Sequence, residues 1–248
     1  MGKTAWILGG GTGIGAALAK ELVERGWTVA VSGRRPGPLQ ALAQSHGVRP
    51  YPLDVTDADA TAGVARKVAA DLGRIDLMVF SVATKAVTKT AVYDHETFQK
   101  VIDTNLLGAM RVIDPVVAQM RAQGGGEIAL VASVAGYFGL PRSAAYSAGK
   151  AALIALAQTM KTELARDNIS VRLVSPGFVR TEFTAKNNFP MPFLLEPEDA
   201  GRRIADGLLR SRRFEIAFPL RFVLMLKLVR MLPYPLFFAI MRRLLPKG

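Results

Sequence analysis

The sequence predicts an α/β domain: a doubly wound, mostly parallel sheet of about seven strands, followed by a helical C-terminal extension. Three observations point there. Short apolar runs alternate with segments of helical period up to residue 218. A glycine turn, Gly9 to Gly15, joins the first apolar run to the first helical one. Hydrophobic residues make up 50% of 248 positions, enough for one large core, and no repeat or linker divides the chain. Residues 1–218 therefore read as the domain, and 219–248 as a basic, apolar extension of it.

Trp6 to Leu8 is the first strand. Gly9-Gly10-Gly11-Thr12-Gly13-Ile14-Gly15 follows, and Ile14, Leu18 and Leu22 mark one face of the next helix. A glycine turn between strand and helix gathers backbone N–H groups at a helix N-terminus, which suits a pyrophosphate. Thr28 to Ser32 is the second strand. At its end many dinucleotide folds carry an acid for the ribose hydroxyls, but here Gly33 is followed by Arg34 and Arg35. Guanidinium groups pair well with phosphate, so this end favours NADP, with NAD as the runner-up. Arg49 to Val55 is a third strand ending at Asp54, a partner for an adenine ring. A helix spans Ala58 to Leu72, and Asp76 to Ala83 is the fourth strand. Asp94 to Gln123 holds two helices around Asn105. Glu127 to Ser133 is the fifth strand, and a long helix runs from Ala144 to Asp167. Ile169 to Ser175, a helix from Glu196 to Leu209, and Phe214 to Phe218 complete the pattern. The glycine loop, Arg34, Asp54, Ser133 and Pro176 all fall at carboxyl ends of strands, where such sheets bind ligands.

The chemistry concentrates between Ser133 and Lys150. Tyr146 and Lys150 stand four apart on the long helix, so their side chains lie on one face, one turn from each other. A free tyrosine titrates near ~10. A nearby ammonium favours the phenolate, so Lys150 is expected to bring Tyr146 toward acid/base chemistry near neutral pH. Ser133, at the end of the fifth strand, offers a hydroxyl to the same substrate oxygen.

Other classes fall away. Without cysteine there is no disulfide, thiolate nucleophile or cysteine metal site, which fits a reducing compartment. The two histidines, His46 and His95, lie far apart near loop-like sequence, read as ordinary surface residues and suggest no metal site. The N-terminus runs straight into a strand without a signal peptide, and no apolar run is long enough to span a bilayer. The expected location is cytoplasmic, with peripheral attachment to the inner membrane face as an alternative. From Arg210 to Gly248 there are nine Lys/Arg and one Glu, so +8 of the net +12 lies in the tail. Those cations sit among aliphatics, without the stacking or base-reading pattern of a nucleic-acid binder.

In combination the motifs resemble the short-chain dehydrogenase/reductase family over roughly residues 3 to 218, a Rossmann-like fold. They are G-x-x-x-G-I-G at Gly9, Gly13, Ile14 and Gly15; Asp54; Asn105; Ser133; Tyr146-x-x-x-Lys150; and Pro176-Gly177 with Thr181. The resemblance implies hydride transfer between a nicotinamide and a carbonyl or alcohol carbon. Tyr146 would then donate or accept the proton, and Ser133 would polarise the substrate oxygen. Lys150 would bind the nicotinamide ribose and lower the tyrosine pKa, while Asn105 would seat a water linking Lys150 to solvent. NADP(H) would lie against Gly9, Gly11, Thr12, Gly13, Ile14, Gly15, Arg34, Arg35, Asp54, Val55 and Ala83. Asn105, Tyr146 and Lys150 would also touch it, and Pro176, Gly177, Val179 and Thr181 would border the nicotinamide. Family members are often homodimers or homotetramers built on the long helices.

Two departures stand out. Leu8 replaces the family's threonine before the first motif glycine, and Phe80-Ser81-Val82-Ala83 replaces N-N-A-G. An apolar Leu8–Phe80 contact is expected to substitute for the polar one. These changes keep a rival reading open, an NADP-binding sensor or membrane scaffold without turnover. Glu182 to Pro197, with Phe183, Phe189, Met191, Phe193 and Leu194, sits where the family keeps a substrate lid and suggests a hydrophobic small-molecule substrate. In the tail, Pro233 and Pro235 separate two short helices that carry Arg221, Lys227, Arg230, Arg242, Arg243 and Lys247 among aliphatics. Membrane-surface contact and packing over the mouth or against another subunit are both open readings.

Overall fold

The computed structural model describes residues 2–245 except 89–91, 93 and 186, so Lys186 of the expected lid and Lys247 of the tail lie outside the described residues. Its strands are β1 (Thr4–Leu8), β2 (Thr28–Gly33), β3 (Arg49–Pro52), β4 (Leu77–Phe80), β5 (Gly126–Val131), β6 (Ile169–Pro176) and β7 (Glu215–Phe218). All pair in parallel in one seven-stranded sheet of order β3-β2-β1-β4-β5-β6-β7. The order reverses between β1 and β4, and the crevice beyond their carboxyl ends is where this topology receives a ligand.

Both faces of the sheet are buried, so the strands are apolar almost throughout. Alternation sorts β1: Trp6 and Leu8 enter one core, Ala5 and Ile7 the other. The first core is covered by α3 (Ala58–Leu72), α5 (Gly108–Ala122) and α6 (Ala144–Glu163). The second is covered by α1 (Gly13–Glu24), α2 (Pro36–His46) and α8 (Pro197–Arg210). Local signals set several boundaries. Asp57 caps α3 by accepting from the Ala60 N–H at 2.9 Å, and Gly73 closes it at φ 76°.

Several expected boundaries need correction. The third strand ends at Pro52 rather than Val55, because its only partner, β2, ends at Gly33. Leu53 N–H still donates to Gly33 O at 3.0 Å, after which the ladder has no partner. As an edge strand β3 also tolerates Pro50 and Pro52, which have no N–H to donate. The fourth strand stops at Phe80 rather than Ala83, level with the end of β1 at Leu8, although β5 on its other side runs on to Val131. The long helix gives way to a 3₁₀ turn at Leu164–Asp167, followed by Asn168 at φ 55°. His46 ends α2 and His95 begins α4 (His95–Ile102), so both stand at helix ends beside loops.

The two helices expected around Asn105 are α4 and α5, joined by a π-helical turn, Asp103–Leu107, that contains Asn105. Beyond β7 the tail forms α9 (Leu220–Arg230) and α10 (Tyr234–Arg243), broken at Pro233. Phe222 and Val223 of α9 pack with Val134 and Tyr137 next to β5. Glu215 anchors that contact. Its carboxylate accepts from the hydroxyls of Tyr137 and Ser175 at 2.6 and 2.7 Å and pairs with Lys227 of α9.

Candidate active site

The site grows from the switch point. Gly9 stands at φ +78°, and a Cβ there would lie 2.8 Å from the Ser81 backbone. Only glycine lets the loop after β1 and the segment after β4 approach this closely. A Cβ on Gly15 would lie 2.2 Å from Gly9 O, so the first turn of α1 closes directly over the loop. Gly13, at φ +56°, leaves the space that the Thr181 methyl approaches. Thr12 is the N-cap of α1 but makes no side-chain capping bond, so the first-turn N–H groups remain available to an anion. This cradle, filled by any Cβ, fits a dinucleotide pyrophosphate.

The two family departures meet here. Leu8 and Phe80 are register partners, both fully buried in the same core, so the expected apolar contact is present. Ser81 N–H donates to Leu8 O at 2.8 Å. Asn105 then clamps the segment further along. Its Oδ1 accepts from Thr84 N–H at 2.7 Å and its Nδ2 donates to Thr84 O at 2.8 Å. The side chain expected to seat a water thus holds the backbone that carries Ala83 and Lys85.

At the end of β2, Arg34 forms no hydrogen bond or salt bridge among the described residues, while Arg35 is paired with Glu182 at 2.8 Å. Asp54 accepts from the Thr56 N–H and hydroxyl at 3.0 and 2.8 Å. Burial raises its carboxyl pKa, but the two Thr56 bonds and the Arg34 charge outweigh it and hold the group below its ordinary value. Val55 packs its side chain in the core, where a Cβ on Gly108 would lie 2.6 Å from its Cγ2.

Ser133 leaves the end of β5 in extended conformation, and its Oγ accepts from Ala135 N–H at 3.1 Å. Lys150 is 1% exposed, and its Nζ donates to Val131 O at 2.8 Å, two residues before Ser133. The same Nζ lies 5.8 Å from the Tyr146 ring centre. Here the sequence expectation is corrected. Burial lowers the Lys150 pKa to about 7. Burial also raises the Tyr146 pKa to about 12, only partly opposed by the Ser133 hydroxyl. Without a ligand the two groups approach neutrality from opposite sides, because each loses more to desolvation than it gains from its neighbour. A Cβ on Gly136 would lie 2.8 Å from the Lys150 backbone, which shows how tightly the turn after β5 presses on α6.

The mouth is aromatic. Phe183, in the short helix α7 (Glu182–Ala185), lies 5.6 Å from the Tyr146 ring. Phe178 lies 5.9 Å from Phe189 and 5.7 Å from Phe222 of α9, and Phe193 lies 6.0 Å from Phe222. The base of this loop is tied: Arg180 N–H donates to Leu195 O, and Leu195 N–H to Phe178 O, at 2.8 and 3.0 Å. Gly177 allows α9 to close in, since a Cβ there would lie 3.1 Å from the Phe222 ring.

Two residues here escaped the sequence reading. Lys85 lies over the Phe183 ring at 4.6 Å and donates to Asn187, with burial lowering its pKa. Thr88 accepts from Ala145 N–H at 3.2 Å, capping α6 where Ser143 does not. Both act across the chain, and nothing in their local sequence marks them.

The short chain dehydrogenase model matches residues 3–191. An uncharacterized oxidoreductase of Myxococcus xanthus (strain DK1622) is 39% identical over 98% of this chain and 97% of its own length, coverage that takes in the C-terminal helices. One from Staphylococcus haemolyticus (strain JCSC1435) is 30% identical over 84% of this chain and 90% of its own. A short-chain dehydrogenase structure from Streptomyces avermitilis superposes with TM-score 0.82 at 25% identity, covering 91% of each chain. One from Burkholderia cenocepacia J2315, in complex with NADP, shares the fold with TM-score 0.85 at 23% identity, covering 99% of this chain and 98% of its own.

Proposed function

The chain belongs to the short-chain dehydrogenase family, an oxidoreductase family, and we propose that this member is an NADP-dependent reductase of hydrophobic carbonyl compounds. The observation that carries the reading is the grouping of Ser133, Tyr146 and Lys150 at the end of β5, facing an aromatic mouth. When bound, the nicotinamide supplies the hydride for the carbonyl carbon and is itself oxidised. Ser133 Oγ holds the carbonyl oxygen. Tyr146 gives that oxygen its proton, so R₂C=O becomes R₂CHOH.

Tyr146 is protonated at neutral pH and can donate, but burial raises its pKa and makes it a weaker acid in the ligand-free site, so a cation or oxyanion brought in by the bound ligands has to offset that cost during transfer. Lys150, titrating near neutrality, can relay a proton to Tyr146 as well as bind ribose hydroxyls. Arg34, unpaired beside Asp54, is the group suited to a 2′-phosphate, while Arg35 reaches it only by leaving Glu182. The apolar mouth of Phe178, Phe183 and Phe222 supports a hydrophobic substrate.

Calorimetric titration with NADPH and NADH tests the cofactor assignment. The expected result is tighter NADPH binding, with Arg34→Asp shifting the preference toward NADH by about ten-fold or more, the scale of one charge-assisted phosphate contact. An unchanged preference in the variant would remove Arg34 from the site.

A further inference from the structure

We propose that α9 and α10 form a docking surface for an anionic lipid bilayer, placed so that the substrate mouth opens toward the lipid. The second half rests on the reductase reading above; the docking itself does not.

A surface helix ordinarily turns its polar side outward. α9 does the reverse. Phe222, Val223 and Leu226 face the body. Arg221, Leu224, Met225, Leu228 and Leu232 recur at helical spacing on the opposite side and line an open apolar groove. Of seventeen large apolar side chains exposed among the described residues, ten lie between Leu220 and Leu245, so the exposure is concentrated there. Leu228, Met231 and Tyr234 are 65%, 79% and 75% exposed. A patch of this kind marks an interaction surface.

Charge decides what covers it. Residues 219–248 contain six Lys/Arg and no Asp/Glu. Lys227 is paired with Glu215, whereas Arg221, Arg242 and Arg243 are exposed and form no salt bridge among the described residues. A second copy meeting this face through its own would set these cations against themselves. Anionic headgroups neutralise them while the acyl region receives the leucines. The two helices have 11 and 10 residues, and no helix among the described residues is long and apolar enough to cross a membrane, so the contact is one of lying on the surface.

The inner side of α9 is a wall of the mouth. Phe222 meets Phe178 and the exposed lid residue Phe193. The proposed docking face and the face that meets the lid aromatics are thus the two sides of one helix, which sets the lid beside the bilayer that would deliver a carbonyl compound.

The test uses the full chain and vesicle flotation, comparing phosphatidylcholine with phosphatidylcholine mixed with phosphatidylglycerol. Binding is expected on the anionic vesicles and weaker by about ten-fold or more on neutral ones, as for a few basic residues at a charged surface. Leu224→Asp combined with Leu228→Asp should abolish flotation while leaving circular dichroism, molecular mass and NADPH affinity unchanged. The same double variant should lose turnover of a long-chain aldehyde supplied in vesicles and keep turnover of a short water-soluble one. Absence of flotation on the anionic vesicles overturns the docking proposal. So does a fall in molecular mass in the variant, which would make the face an interface between copies. Unchanged turnover of the vesicle-borne aldehyde in a variant that no longer floats overturns delivery through the mouth. Failure of the reductase reading would show separately, as no turnover of either aldehyde by the parent chain that still floats.

Discussion

α6 and α9 border the same mouth and break the usual sorting of residues in opposite ways. α6 takes a lysine into the core; α9 leaves leucines in water. In α6 the exception is compensated on the spot, because Lys150 Nζ finds Val131 O at 2.8 Å and the tyrosine ring beside it. In α9 the outward leucines remain exposed among the described residues and line an open groove. A buried cation with a partner built into the fold points to chemistry inside the molecule. An exposed apolar face without one points to a partner outside it.

The sharpest way to separate the two helices is to remove the exception in α6. Lys150→Met should lower kcat by on the order of 100-fold, the lower end of what positioned acid/base groups contribute, as measured by steady-state reduction. It should also change how stability depends on pH. The folded pKa of about 7 lies below the ordinary 10.5, so between these values the unfolded chain holds a proton that the folded chain has released. Stability of the ligand-free parent therefore rises with pH across that window, and the slope should flatten in Lys150→Met. Thermal unfolding at several pH values measures it; an equal slope in both proteins would contradict the assigned burial cost.

Next in size is Gly136→Ala. Its Cβ would press on the Lys150 backbone at 2.8 Å and the Ile154 side chain at 2.9 Å, and overpacking of this kind costs about 1–3 kcal/mol. Denaturant unfolding should show that loss. No loss would mean that the turn after β5 yields more easily than its packing implies.

The smallest effect is expected at the anchor of α9. Glu215→Gln removes the charge that holds Lys227, Tyr137 and Ser175, and should cost about 1 kcal/mol. Burial raises the Glu215 pKa, but the bonds from Lys227, Tyr137 and Ser175 outweigh it and hold the carboxyl below its ordinary value of 4.5. Its stabilisation is thus present above 4.5 and lost as pH falls through the lower folded value. Acid titration of stability should show this loss in the parent and not in Glu215→Gln.

How much of this was legible in sequence follows from where the deciding interaction lies. α3 was readable end to end because Asp57 and Gly73 are local signals. β3 and β4 extend less far than the sequence suggests because apolar residues continue past Pro52 and Phe80; for the edge strand β3 the length is set by the last residue of its partner β2. α2 has a weaker local signal: it opens on P-G-P, which suits a first helical turn, and buries only Leu39 and Leu42. The proposed catalytic residues Ser133, Tyr146 and Lys150 were visible through the combination of motifs that resembles the family, not through the Tyr-x-x-x-Lys spacing alone. The clamp of Asn105 on Thr84, the pairing of Arg35 with Glu182 and the placement of Lys85 against Asn187 were not, since each joins residues remote in the chain. The direction of the Tyr146 and Lys150 shifts was also hidden, because it depends on burial rather than on neighbours along the helix.

The most direct test of the central claim is Tyr146→Phe, assayed for NADPH binding and for carbonyl reduction on the same preparation. The variant keeps the ring and loses only the proton donor. NADPH binding should be retained while kcat falls by about 10²–10⁴-fold. Retained binding with unchanged turnover would show that the proton comes from elsewhere and that the grouping of Ser133, Tyr146 and Lys150 is not the catalytic centre.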